Sequence, residues 1–176
     1  MGLAPGLATH LRGLADELLV KDFPGATITR ADRELLATAV SAGNDCFYCM
    51  DSHGAFASAL LRKTNATEIE SLVDGIKSGG SGGLSPKMAA LVDIARTVRK
   101  NPRDARADQI ERAIAAGASN ADTQLAVLIA AAFCMYNRMV DGLRAPTLPT
   151  ADAYRARAEE IAQHGYSDAR VKSVPT

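Results

Sequence analysis

Cys46-Phe47-Tyr48-Cys49-Met50-Asp51-Ser52-His53 is the stretch on which the reading of this chain turns. Two cysteines at this spacing can close a disulfide, and the histidine that follows can handle their protons. On a helix, at about 100° per residue, positions 46, 49 and 53 fall within an arc of about 60°. Two thiols and an imidazole on one helical face make a redox centre. Cys49 and His53 stand at i,i+4, so a neutral imidazole can take the Cys49 proton and then steady the thiolate. A helix start also favours an anion, since its free N–H groups and macrodipole stabilise a thiolate there. That electrostatic logic by itself points to Cys46, nearer the helix end and expected to be more exposed, as the attacking thiol.

Working outward, the flanking residues read as helices. Thr29 caps a helix through Glu34, Leu35, Leu36, Ala39 and Val40, which ends at Gly43-Asn44 in a left-handed turn. Asp45 then caps the helix of the two cysteines, which runs to about Lys63. The break turns the chain back, so Glu34 can lie beside the thiols and pass protons. Leu7, Leu11, Leu14 and Leu18 predict an earlier helix over Leu7 to Val20. Downstream, Asn65 or Thr67 opens a short helix to Ile76. Ser85-Pro86 opens one carrying Met88, Leu91, Ile94 and Val98 inward. A helix from Ala107 stops at Gly117, and Ser119 to Asp122 caps the longest, Thr123 to about Leu143. A last helix covers Ala151 to Gln163, and Val171 to Thr176 reads as a loose tail. Cys134 reads as an inert core thiol, and His10 and His164 as solvated surface residues.

No strand pattern of useful length interrupts these helices, and alanine and leucine supply much of the apolar content, so the fold class is all-α. The 176 residues fit a single domain, 1–176, with a core of about 30–165, an N-terminal helical extension over 1–28 and a tail over 166–176. Net formal charge is zero and no long Lys or Arg run occurs, which argues against nucleic acid as a partner. The N-terminus has neither the positive region nor the apolar stretch of a secretory signal. The apolar run Leu125 to Tyr136 is short for a bilayer, so no membrane association is expected. A cytoplasmic setting follows as the expectation. There, a CxxC pair is catalytic or metal-binding rather than structural. A zinc reading would take Cys46, Cys49 and His53 with Cys134 or His164. It lacks the second tightly spaced ligand pair of structural zinc sites, so no metal is expected.

Taken together, Glu34, Cys46, Cys49 and His53 at these intervals resemble the signature of the alkyl hydroperoxidase D and carboxymuconolactone decarboxylase superfamily. Arg33-Glu34-Leu35-Leu36, Asn44 to Cys49, and Tyr136-Asn137-Arg138 within Phe133 to Asp141 resemble its peroxidase-related branch. The likeness covers roughly residues 30 to 165. It implies an AhpD-like helical bundle of about six to eight helices and a homo-oligomer, trimer or hexamer. It also implies a peroxidase in which Cys49 attacks a hydroperoxide, Cys46 resolves it as a disulfide, and Glu34 and His53 relay protons. No organic cofactor is implied, and a thiol or dithiol reductant protein, lipoyl or thioredoxin-like, reopens the disulfide. The hydroperoxidase has a further histidine between its cysteines; here Tyr48 stands in that place. Two alternatives accompany this reading. One is a carboxymuconolactone decarboxylase-like lyase, whose chemistry needs no CxxC pair. The other is a non-enzymatic redox-sensing or scaffold subunit.

Overall fold

The computed structural model describes residues 4–64 and 67–168. The Asn65 helix start and the tail over Val171 to Thr176 lie outside the described residues. Within them the chain forms eight α-helices and no strand, as expected of an AhpD-like bundle. They are α1 Pro5–Leu19, α2 Arg30–Gly43, α3 Phe47–Arg62, α4 Ile69–Lys77, α5 Pro86–Lys100, α6 Ala107–Ala115, α7 Asn120–Gly142 and α8 Ala151–Asp168.

The helix starts follow their capping residues. Thr29 and Asp32 form a reciprocal capping box on α2, and Ser119 and Asp122 form another on α7. Ser85 accepts from the Met88 N–H, with Pro86 at the first position of α5. Because α2 packs on α3, α7, α5 and α4 at once, it is buried all round from Arg33 to Ser41. Leu35, Leu36 and Val40 of α2 meet Leu91 and Ile94 of α5 and Leu125, Ile129 and Phe133 of α7 in the main core. A second cluster joins Phe56 and Ala59 of α3 to Ala158, Ile161 and Ala162 of α8.

Two expectations change. The leucine stripe of α1 does not all turn inward: Leu18 is buried, whereas Leu7 and Leu14 are exposed. The inner face of α1 is instead Ala15, Asp16, Leu18 and Leu19, which pack toward α8 and α2. In addition, α7 is 23 residues long with mean hydropathy 1.3 in its most apolar window, long and apolar enough to cross a bilayer. Its Leu125, Ala126, Ile129, Ala130 and Phe133 are buried against the other helices.

Asp122 ties the start of α7 to the segment leading into α2. Its Oδ1 accepts from the N–H groups of Thr27 at 2.7 Å and Ile28 at 3.0 Å. Its Oδ2 accepts from the Thr27 hydroxyl at 2.6 Å and the Ser119 N–H at 2.9 Å. Burial by itself would raise this carboxyl, but the hydrogen bonds outweigh it and hold the group at about 2. The folded value lies below the ordinary aspartate value of about 3.9, so the stabilisation is complete above that pH and lost as pH falls toward about 2. Asp122→Asn is expected to cost about 2 kcal/mol at neutral pH, the worth of charge-assisted hydrogen bonds. Urea midpoints for both proteins should converge as pH drops through that window.

Candidate active site

The turn between α2 and α3 sets the position of the thiols. The Asp45 N–H donates to the Ala42 carbonyl and the Cys46 N–H to the Ser41 carbonyl, each at 3.1 Å. This is a Schellman closure. Its left-handed residue is Asp45, with φ 57°, rather than Gly43 or Asn44. Asp45 therefore ends α2 and does not cap α3; the N-cap of α3 is Cys46, with no side-chain cap bond. Gly43 is needed for contact rather than conformation. Its carbonyl accepts from the Arg99 guanidinium, and a Cβ there would fall 2.5 Å from Arg99 Nε.

Cys46 is fully buried and Cys49 is 4% exposed, so the expectation of an exposed Cys46 is corrected. Their Sγ atoms lie 2.7 Å apart, one helical turn bringing them together as two free thiols. Burial pushes both thiols up, overriding the helix-start effect. Cys46 is raised most, its hydrogen bond with Cys49 adding to burial. At Cys49, hydrogen bonds from Cys46 and Asn137 offset part of the rise. Asn137 is buried, donates to Ser41 Oγ at 3.0 Å and accepts from Asn44 Nδ2 at 2.8 Å. Its neighbour Arg138 turns outward and donates to the Cys134 carbonyl of its own helix. Cys134 is half-buried and lies 3.7 Å from Asn44 Nδ2. His10 and His164 are exposed. Among the described residues no set of three or more His, Cys, Asp or Glu is placed to hold a metal ion.

Glu34 points inward and is fully buried on α2. Its Oε2 lies 2.7 Å from His53 Nδ1 of α3. Its Oε1 accepts from the Tyr166 hydroxyl of α8, also at 2.7 Å. His53 is held on its faces and edges by aromatic rings. Phe133 lies 4.6 Å away at 87° and Phe56 5.2 Å away at 77°. Tyr166 stacks at 6.0 Å and 29°. Tyr166 is the residue that sequence reading missed, having ended the last helix at Gln163. The available signal was Gly165, a helix-ending residue immediately before an aromatic.

A cavity of about 290 Å³ opens onto this group. Cys49, His53 and Tyr166 line it together with Tyr48, Phe56, Phe133, Tyr136 and Ile161, while α1 contributes Leu11, Arg12 and Ala15. Cys46 is not part of the lining and sits behind Cys49. The Tyr136 hydroxyl donates to the Leu11 carbonyl at 2.7 Å, fastening α1 over the opening. Tyr48 packs at 6.2 Å from Tyr154 of α8.

Residues 7–70, which include the whole Glu34 to His53 segment, match the carboxymuconolactone decarboxylase family. The fold is similar to the crystal structure of the alkylhydroperoxidase AhpD core of an uncharacterized peroxidase-related protein from Ralstonia eutropha JMP134. The two are 22% identical, with a TM-score of 0.73 over 88% of this chain and 76% of the other. It is also similar to an uncharacterized peroxidase-related protein from Silicibacter sp. TM1040, 18% identical, with a TM-score of 0.68 over 85% and 72%. No curated protein matches the sequence. The family match thus spans the segment that carries the motif, and the structural likeness shows that the fold is that of the AhpD core.

Because burial raises both thiols, they are expected to be protonated and slow to alkylate at neutral pH in the reduced protein. Iodoacetamide labelling followed by mass spectrometry should place the Cys49 midpoint above the free-cysteine value of about 8.5, with Cys46 reacting at higher pH still.

Proposed function

We propose that this AhpD-like chain is a thiol peroxidase that reduces organic hydroperoxides through a Cys46–Cys49 disulfide cycle. One observation carries the reading: Cys49 and His53 share a cavity wall, and Cys46 stands 2.7 Å behind Cys49. Because burial raises the Cys49 thiol, its attack at neutral pH calls for a general base. His53, with Nδ1 engaged by Glu34, takes the Cys49 proton on Nε2. The Cys49 sulfur attacks the terminal peroxide oxygen and the O–O bond breaks. The alkoxide leaves and recovers the proton as an alcohol, and Cys49 becomes a sulfenic acid. The Cys46 sulfur then displaces that hydroxyl, releasing water and closing the disulfide. A dithiol protein, lipoyl or thioredoxin-like, supplies two electrons and two protons to restore the thiols.

The aromatic and aliphatic lining of Phe56, Phe133, Tyr136 and Ile161 suits a substrate with an apolar body better than hydrogen peroxide. These steps call on no metal or organic cofactor. The working setting is cytoplasmic, where dithiol reductants are available. Assembly into a homo-trimer or hexamer is supported by Val127, Leu128 and Met135, which leave an apolar face of α7 exposed.

The family match favours a second reading, a decarboxylase-like lyase that uses His53 on the same cavity wall, backed by the buried Glu34, with no role for the sulfurs. Assay of hydroperoxide consumption with dithiothreitol separates the two. Cys49→Ser is expected to abolish turnover. Cys46→Ser should leave Cys49 as a sulfenic acid that dimedone traps. Turnover surviving in Cys49→Ser would remove the peroxidase mechanism.

A further inference from the structure

Tyr166 reaches the site by an unusual route. The helical path of α8 breaks at Gly165, with φ 74° and ψ −171°. Such a break orphans the carbonyls before it and the amides after it. Both sets are answered by side chains from other helices. Arg30 of α2 donates to the carbonyls of Ile161 at 3.3 Å and Ala162 at 3.2 Å. The buried Asp16 of α1 accepts from the Tyr166 N–H at 2.6 Å and the Ser167 N–H at 2.9 Å. Gly165 alone suits this point, because φ is positive and a Cβ would lie 2.9 Å from Asp16 Oδ1. The clamp delivers the phenol to Glu34.

The chemistry at Glu34 follows from donor accounting. A phenol has one proton, and at 2.7 Å the Glu34 Oε1 takes it in preference to His53 Nδ1 at 3.3 Å. With Oε1 occupied, Oε2 faces His53 and accepts its Nδ1–H. The imidazole lone pair is then on Nε2. Burial, and then the neighbouring Glu34 charge, raise the phenol well above its ordinary value, so it serves as a donor.

We propose that Tyr166 is a positioning residue of this site: its hydroxyl, held by the Asp16 and Arg30 clamp on the α8 break, orients the Glu34 carboxylate and through it selects the His53 tautomer that leaves Nε2 free to accept a proton. This rests on the peroxidase reading only for its consequence in turnover; the tautomer is independent of substrate. The chain thus has a tyrosine on α8, distinct from Tyr48, acting on the proton relay.

Nitrogen-15 histidine NMR of the reduced protein tests the tautomer, and tert-butyl hydroperoxide turnover tests its consequence. The wild type is expected to show His53 as the Nδ1–H tautomer. Tyr166→Phe, which keeps the ring packing, should give a mixture of tautomers. It should also lower kcat about ten- to hundredfold, the worth of a hydrogen bond to a charged group, with KM within about twofold. Asp16→Ala keeps the phenol but frees it, and should reproduce the tautomer change. An unchanged His53 spectrum in Tyr166→Phe overturns the proposal, whether or not kcat falls. So does a changed tautomer with undiminished kcat. If the wild type turns over no hydroperoxide, the peroxidase reading fails, and the His53 spectrum still decides the role of Tyr166.

Discussion

A carboxylate with no access to water must find a donor for each oxygen or carry a heavy desolvation cost, and Glu34 is such a carboxylate. Its partners come from two other helices, His53 of α3 and Tyr166 of α8. Each partner constrains its own element. His53 requires α3 to lie along α2 with a fixed rotation, which the closure at Asp45 sets. Tyr166 requires α8 to break where it does, which in turn requires Asp16 of α1 and Arg30 of α2. The first and last helices are thereby joined to the buried centre through one acidic side chain.

The sulfur pair obeys a different balance. A thiolate at a helix start gains from the macrodipole, an effect of about 0.3–1 kcal/mol at the surface. Removal from water acts in the opposite direction and is larger here, since both sulfurs are buried and both thiols are raised. The dipole alone therefore does not make a thiolate here. This division separates the two cysteines: one has Asn137 beside it and shares the cavity wall with the imidazole, and the one behind it has mainly its partner sulfur.

The sequence made the helices legible because their starts carry explicit chemistry. Thr29, Ser85 and Ser119 each cap the helix that their position predicts. Glu34, Cys46, Cys49 and His53 could be grouped because their spacings within and between two adjacent helices are local. What escaped was decided by distant parts of the chain. Tyr166 meets Glu34 across 132 positions, and no periodicity encodes that contact. The left-handed residue at the α2 end is Asp45, although a glycine and an asparagine stand just before it, because the closing bonds run from Asp45 to Ala42 and from Cys46 to Ser41 and so place the turn one residue later. Leu7 and Leu14 kept helical spacing without facing the core, since α1 lies over the cavity opening rather than between other helices.

The α2–α3 joint contains no slack. Cys46 is at once the residue that closes one helix and the residue that begins the next. One extra amino acid there would swing the following helix by about 100° about its axis, carrying the second sulfur and the imidazole together away from the chamber. Length variation in this chain can be absorbed in the glycine-rich bend after α4, but between Ser41 and Phe47 the count of residues is itself part of the chemistry.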